Sequence, residues 1–132
     1  MSKFWLLSFI GCGLAFMLPR DAIAADACPA YYNETTGRQE YVGVGERFSL
    51  GEEAPAYLEG QQSGSRVNVR TGPGTGYEAN AYGLVGDDVL ALDFAYDLNC
   101  ELWYRVRFPV SQHEGWIHTD FVGFYYGRGL WD

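Results

Sequence analysis

Basic residues are scarce in this chain of 132 amino acids. Lys3 is the only lysine, and nine basic residues in all stand against 17 aspartates and glutamates, giving a formal net charge of −8. Binding to nucleic-acid backbones depends on a basic surface, and adsorption to anionic lipid head groups needs clustered cations. The charge therefore argues against both nucleic acid and membrane surfaces as partners.

Motifs of catalysis are also missing. The chain contains no Gly-x-Ser-x-Gly and no His-Glu-x-x-His, which are signatures of α/β-hydrolases and zinc proteases. The run Gly72–Gly76 lacks the Gly-Lys-Ser/Thr ending of a phosphate loop and is interpreted as a turn. His113 and His118, with Glu114 and Asp120 nearby, match no known spacing of metal ligands. We therefore predict that the protein is not an enzyme and holds no metal or cofactor.

Aromatic residues and glycines, by contrast, are abundant. Ten tyrosines, eight phenylalanines and four tryptophans accompany 17 glycines. This combination in a short chain is typical of short strands joined by tight turns. No helical periodicity of useful length follows residue 24, and the chain length predicts one domain.

Residues 1–24 have the pattern of a secretory signal peptide. Lys3 supplies a positive start, an apolar run extends from Phe4 to Leu18, and Ala22-Ile23-Ala24 is a small-x-small cleavage site. We therefore expect cleavage after Ala24, export to the periplasm or the extracellular space, and no membrane insertion after cleavage.

Two alternatives to a cleaved signal are disfavoured. A retained membrane anchor would need roughly 20 apolar residues, and the run here has only about 15. A lipoprotein acylated at Cys12 would need a lipobox before that residue. Phe9, which occupies the first lipobox position, is unusual there.

Removal of the signal would leave Cys28 and Cys100 as the only cysteines. Two cysteines in an exported protein usually form a disulfide. Neither lies in a Cys-x-x-Cys pair or beside a histidine, so a reactive thiol is the less favoured interpretation. We predict a Cys28–Cys100 disulfide, whose long loop corresponds to about 4 kcal/mol of stabilisation through chain entropy.

Strand signals are dense from residue 56 onward. Residues 67–70 alternate apolar and polar side chains, residues 89–94 form an apolar strand, and the alternation is clearest over residues 102–108. Residues 115–118 form a further short strand. Five to six short strands in about 70 residues predict a small all-β barrel or sandwich, because closure disposes of unpaired sheet edges.

The remaining segments flank this region. Residues 25–55 are interpreted as an N-terminal extension that has room for a hairpin of its own. Residues 51–55, with the sequence Gly-Glu-Glu-Ala-Pro, are interpreted as a linker. Residues 56–124 form the predicted barrel, and residues 125–132 are an aromatic tail.

Four motifs follow one another within residues 56–124. They are Val67–Tyr77 (VNVRTGPGTGY), Gly86–Val89 (GDDV), Trp103–Val106 (WYRV), and Gly115–Ile117 (GWI) followed by Phe121-Val122. Their order and spacing resemble the bacterial SH3 domains (SH3b), and Tyr82–Asp87 is similar to small exported SH3b proteins of cyanobacteria. The resemblance implies an SH3-like barrel. The segment Ala95–Glu101, which contains Cys100, is longer than the usual turn of the family at that place.

The resemblance also implies recognition of a ligand through a surface groove. SH3-like barrels bind extended peptides in grooves lined with aromatic side chains. Tyr77, Tyr82 and Trp103 come from segments that flank the loop after Arg70, and they are our candidate ligand-binding residues. For each of them, packing in the interior is the alternative, and we expect Trp116 to be buried.

These observations predict an exported, non-catalytic binding module whose partner is a cell-wall peptide or an envelope protein. The alternative is a structural or inhibitory subunit that buries its N-terminal extension and its aromatic tail against another exported protein. The sequence carries no prediction of oligomeric state.

Overall fold

The structure, a computed structural model, describes residues 27–125. The predicted signal peptide at 1–24 and all of the predicted tail except Tyr125 lie outside these residues. The described chain is all-β, as predicted, with more than half of its residues in strands. It divides into two compact units, of which one ends at Gly43 and the other begins at Val44. The length of the chain had predicted one domain. Within residues 27–125, no helix is long and apolar enough to cross a membrane.

Nine strands and one 3-10 turn make up the described fold. The first unit contains the strands β1 (Ala27–Asn33) and β2 (Arg38–Gly43). The second contains β3 (Phe48–Leu58), β4 (Arg66–Arg70), β5 (Ala79–Leu84), β6 (Asp88–Tyr96), β7 (Leu102–Arg107), β8 (Glu114–His118), a 3-10 turn at Thr119–Phe121, and β9 (Val122–Phe124).

The first unit is an antiparallel hairpin of β1 and β2. Its turn is closed by Asn33, whose side-chain oxygen accepts hydrogen bonds from the backbone N–H groups of Thr35 (3.0 Å) and Thr36 (3.1 Å). Gly37 follows with a φ of +69°, a conformation that glycine adopts at little cost. The N-terminal extension therefore does contain a hairpin of its own.

The second unit is one antiparallel sheet with the strand order β5-β4-β8-β7-β6-β3-β9. Among residues 27–125 the strands β5 and β9 have one neighbour each, so the described sheet is open and the predicted closure into a barrel is wrong. Closure depends on pairing between strands that are distant in sequence, and an alternating pattern carries no signal of such pairing. The edge strand β9 has only three residues, and a short edge limits pairing with other chains.

The predicted linker at 51–55 is also wrong, because these residues lie inside the long strand β3. The register with β6 shifts between Ser49 and Ala54, and Gly51 has a φ of +87°. The Gly-Glu-Glu sequence therefore belongs to a bulge. The predicted boundary between extension and barrel at residue 55 falls in the middle of a strand.

The sheet has buried side chains on both faces of β7. Tyr104 and Val106 belong to the main hydrophobic cluster, with Leu58, Val69, Val89 and Ile117. Trp103 belongs to a second cluster with Ala95 and Trp116. Successive side chains of a strand point to opposite faces, so the second cluster lies on the other face of the sheet. The prediction that Trp116 is buried is confirmed.

Candidate functional site

The loop of residues 71–77, which follows β4, is held in shape by Arg70. Its Nη1 donates to the backbone oxygens of Thr75 (3.3 Å) and Tyr77 (2.9 Å). The loop also closes on itself, with the N–H of Thr71 donating to the oxygen of Glu78 at 3.0 Å. A side chain that satisfies two loop carbonyls fixes a conformation that a glycine-rich segment would not keep alone.

Gly72 sets the position of the Tyr77 ring. A Cβ at residue 72 would lie 2.4 Å from Cδ1 of Tyr77, which is far inside a normal contact distance. The absence of a side chain at Gly72 therefore lets the ring lie directly against the loop backbone. Tyr77 as a whole remains 48% exposed, so the residue packs on the loop while part of it faces solvent.

A cleft of about 290 Å³ lies beside this loop, and we call it the loop cleft. It is lined by Val44, Gly45, Pro73, Gly74, Thr75, Gly76, Tyr77, Asp97, Leu98 and Asn99. Leu98 is 77% exposed, although it is an aliphatic residue in a polar turn. Tyr77 and Leu98 thus supply two solvent-exposed apolar side chains to one cleft.

The turn that lines the loop cleft opposite the loop is held by the buried carboxylate of Asp97. Its Oδ1 accepts from the backbone N–H groups of Asn99 and Glu101, both at 2.9 Å, and its Oδ2 accepts from Nε1 of Trp103 at 2.9 Å. Burial of a carboxylate is favourable only when hydrogen bonds replace its hydration. These bonds fix the turn of residues 97–101 that presents Leu98.

A second carboxylate stabilises the sheet beneath this region. The buried carboxylate of Asp93 accepts hydrogen bonds from two arginines. Nε of Arg105 donates to Oδ1 at 2.8 Å, and Nη2 of Arg47 donates to Oδ2 at 3.0 Å. The Cζ of Arg47 also lies 6.0 Å from the ring centroid of Trp116. The two guanidinium groups compensate the burial of the Asp93 carboxylate. They also link the residue before β3 to the strands β6 and β7.

A second cleft, of about 340 Å³, lies along β4, and we call it the strand cleft. Its lining includes Arg66, Val67, Asn68, Arg70, Thr75, Glu101, Trp103, His118, Asp120 and Phe121. The bridge between β4 and β8 is limited to Arg70 and Trp116. The cleft is formed where these two strands separate.

The ring of His118 contacts three other residues that line the strand cleft: Glu101, Trp103 and Asp120. Its Nδ1 accepts the backbone N–H of Asp120 at 3.1 Å, and its Nε2 lies 3.1 Å from Oε1 of Glu101. This arrangement places the proton of the neutral ring at Nε2. The ring also packs edge-to-face on Trp103, with 5.2 Å between the centroids.

The three predicted ligand-binding residues do not line one groove. Tyr77 lines the loop cleft, whereas Trp103 lines the strand cleft although it is only 3% exposed. Tyr82 is exposed and lines neither of these two clefts; its ring lies under Arg66, with 4.2 Å from Cζ to the ring centroid. Trp103 donates a hydrogen bond to the buried carboxylate of Asp97, a contact that the sequence pattern did not indicate.

The contributions of Asp97, Leu98 and Arg66 were not predicted from the sequence. The signal for Leu98 was present, because a lone leucine between Asp97 and Asn99 in a polar turn has no alternating pattern that would bury it. The role of Arg66 could not be found, because it depends on the pairing of β4 with β5.

The predicted disulfide is confirmed. Cys28 and Cys100 are both disulfide-bonded, and they are the only cysteines among the residues described. Cys100 has a φ of +59°, an uncommon left-handed conformation for a residue with a side chain. No group of three or more histidine, cysteine, aspartate or glutamate side chains within residues 27–125 is arranged to hold a metal ion.

Comparison with known proteins yields one partial similarity. The chain is 37% identical over 57 residues to Serine/threonine-protein kinase D of Synechocystis sp., and the matched region is 43% of this chain and 11% of that protein. The chain thus spans about a tenth of the length of the curated relative it matches. No known family profile matches the chain. No solved structure matches it.

Proposed function

We propose that the chain is an exported, non-catalytic binding module of the bacterial SH3 type, which recognises an extended peptide in the loop cleft. The observation that carries the proposal is the pairing of two exposed apolar side chains, Tyr77 and Leu98, in a cleft with a preformed frame. The bonds of Arg70 and Asp97 hold that frame. A preformed site loses little conformational entropy when a ligand binds.

The positions of the SH3b-like motifs support the proposed family. The segments Val67–Arg70, Trp103–Val106 and Gly115–Ile117 lie on β4, β7 and β8, which are neighbours in the order β4-β8-β7. Gly115 allows β8 to approach closely, since a Cβ there would lie 2.3 Å from Cγ1 of Val69. The proposed relationship rests on these motif strands and not on a closed barrel, since the sheet is open.

The chemistry of the loop cleft favours a peptide over a charged polymer. Its exposed contacts are apolar, and its loop offers backbone groups for hydrogen bonds, as extended peptides require. A formal net charge of −8 disfavours anionic wall polymers. Together with the signal-like residues 1–24, this supports a peptide of the cell wall as the ligand. A peptide segment of an envelope protein is the alternative ligand, which the experiment below distinguishes.

The test compares two substitutions of equal chemistry in different places. The chain is expressed from its full sequence, recovered in exported and oxidised form, and mixed with isolated peptidoglycan sacculi. Leu98→Asp introduces a carboxylate in the loop cleft, while the matched control Val110→Asp introduces one at a residue that is 97% exposed and outside both clefts. Because a carboxylate resists burial in an apolar contact, we expect Leu98→Asp to weaken binding about tenfold or more.

A second pair of variants examines the groove that the sequence predicted. Tyr77→Ala is expected to reduce the pelleted fraction, and Tyr82→Ala is expected to leave it close to that of the unmodified chain. Retention of full binding by both Tyr77→Ala and Leu98→Asp would show that the loop cleft is not the site. Absence of any sedimentation with sacculi would remove the wall peptide and direct the search to envelope proteins.

A structural or inhibitory subunit is the second candidate, and it is favoured by the hairpin β1–β2. Three tyrosines of this hairpin are largely exposed: Tyr31, Tyr32 and Tyr41. Tyrosine is enriched where proteins meet other proteins. Size-exclusion chromatography with light scattering tests this function: a dimer or a stable complex would support it, and a monomer that captures no exported protein would count against it.

A further inference from the structure

The strand cleft has a charge distribution that the proposed peptide site does not use. Strand β4 points Arg66, Asn68 and Arg70 towards the cleft, because residues two apart on a strand share one face. Glu101 and Asp120 come from other segments, the turn before β7 and the 3-10 turn. The cleft therefore presents cations from one strand and anions from two separate turns.

Both arginines of the cleft lack a carboxylate partner within the described part of the chain. The other arginines of the sheet are neutralised: Arg47 and Arg105 by Asp93, and Arg107 by Glu53. In a chain with nearly twice as many acidic as basic residues, two arginines that share a cleft without an ion pair are unexpected for a merely solvated surface. Arg70 uses Nη1 for the loop, and Arg66 makes a single ring contact with Tyr82.

The ring of Tyr82 positions Arg66 for a ligand. An arginine that stacks on an aromatic ring keeps its N–H donors for bidentate bonding to a carboxylate. The ring also restricts the side chain, which reduces the rotamer entropy lost on binding. Tyr82 is thus a positioning residue, and this accounts for an exposed tyrosine that lines neither cleft.

The acidic side of the cleft complements a positive group. Glu101 is held by Nε2 of His118, whereas Asp120 is largely exposed and has only a 3.5 Å approach to Nδ1 of His118. That nitrogen already accepts the backbone N–H of Asp120, so it offers no proton to the carboxylate while the ring is neutral. The charge of Asp120 remains available to a ligand.

We infer that the strand cleft is a second binding site, which takes the free ends of a short zwitterionic peptide. The carboxylate of the ligand binds Arg66 and Arg70, its ammonium group faces Asp120 and Glu101, and its apolar side chain lies against Phe121. A cleft of about 340 Å³ is at the lower end of the range for small ligands, about 300–1,000 Å³. Arg70 also holds the loop beside the loop cleft, but the strand cleft does not use Tyr77 or Leu98, so the two sites can be tested separately.

The test is a titration of the isotopically labelled, oxidised chain with trialanine, followed by two-dimensional amide NMR. Two matched probes remove one charge each: trialanine amide lacks the carboxylate, and N-acetyl-trialanine lacks the ammonium group. We expect trialanine to shift the backbone amides of Arg66, Asn68 and Arg70, and we expect the amide probe to bind about tenfold more weakly, because a charge-assisted bond is lost. The affinity of N-acetyl-trialanine should fall by a smaller factor than that of the amide probe.

Variants assign the effect to the cleft. Arg66→Gln should weaken trialanine binding about tenfold and abolish the difference between trialanine and its amide, while the amide spectrum verifies that the variant is folded. Arg38→Gln, in the hairpin, is the matched control and should bind as the unmodified chain does. Leu98→Asp should also retain trialanine binding, which separates a failure of this site from a failure of the loop cleft. Equal binding of trialanine and its amide, unchanged affinity in Arg66→Gln, or no shift at these amides would each overturn the inference.

Discussion

The hairpin β1–β2 and the seven-stranded sheet are both antiparallel, but they are stabilised differently. In the sheet, fourteen buried apolar side chains from Ala54 to Val122 form two clusters, one on each face of β7. In the hairpin, Cys28 is the one buried apolar residue, and the tyrosines of both strands are exposed.

An isolated two-stranded hairpin is marginally stable in water. The hairpin therefore depends on its disulfide and on its Asn33 turn, whereas the sheet depends on hydrophobic burial. This difference has a functional consequence, since a site that must be preformed is better placed on the sheet. Both clefts are lined by residues of the sheet unit.

The largest expected effect comes from truncating a core side chain of the sheet. Ile117 is fully buried in the main cluster, so Ile117→Ala should cost about 2–5 kcal/mol in the free energy of unfolding. The equivalent truncation in the hairpin, Tyr41→Ala at a side chain that is 62% exposed, should change it by less than about 0.5 kcal/mol. Urea denaturation measures both, and similar costs at the two positions would contradict the comparison.

Removal of the disulfide should destabilise the hairpin more than the sheet. A Cys28→Ser, Cys100→Ser double variant is expected to lose about 2–4 kcal/mol. Amide hydrogen exchange should show that protection in residues 27–43 is lost first, because this hairpin has little buried apolar surface, while the central strands β6, β7 and β8 remain protected. If the hairpin stays protected in the double variant, other contacts stabilise it and the comparison is contradicted.

A smaller effect is expected at the second cluster. Trp103→Phe keeps most of the apolar surface but removes the N–H that donates to buried Asp97, and a buried acceptor that loses a partner costs about 1–3 kcal/mol. Because Asp97 shapes the turn that carries Leu98, the variant should also bind sacculi more weakly. Asp97 retains its two backbone donors, so complete unfolding would be an unexpected result.

The smallest effect concerns alkaline pH. Burial, with a further contribution from the nearby Tyr96, raises the pKa of Tyr104 to about 12. An unfolded tyrosine titrates near its usual value of about 10, so this group stabilises the fold fully below pH 10, and the stabilisation is lost as the pH rises towards 12. Unfolding free energies from pH 8 to pH 11 should therefore decline less in Tyr104→Phe than in the control Tyr31→Phe. Identical profiles would refute this assignment.

The sequence predicted local features better than long-range ones. The alternation over Leu102–Phe108 correctly indicated β7, and the extension with room for a hairpin does contain β1 and β2. The Gly51–Pro55 sequence was misread as a linker because the signals of a bulge and of a flexible connection are the same residue types. Closure of the barrel was wrong because the partners of β5 and β9 are decided by tertiary packing.

The candidate site was predicted only in part for the same reason. Tyr77 lies in a cleft beside the loop, as its sequence position suggested. Trp103 donates to the buried carboxylate of Asp97, and Tyr82 serves as a platform for Arg66 on the neighbouring strand. Strand pairing and hydrogen bonds to buried groups determine such roles, and periodicity reports neither.

The central claim is that the sheet, through its loop cleft, binds a wall peptide. The most direct measurement is amide NMR of the oxidised chain titrated with soluble peptide fragments released from sacculi. The account predicts saturable shifts centred on residues 73–77 and 97–99, absent in Leu98→Asp and retained in Val110→Asp. Shifts confined to the hairpin residues 27–43, or no shifts at saturating peptide, would contradict it.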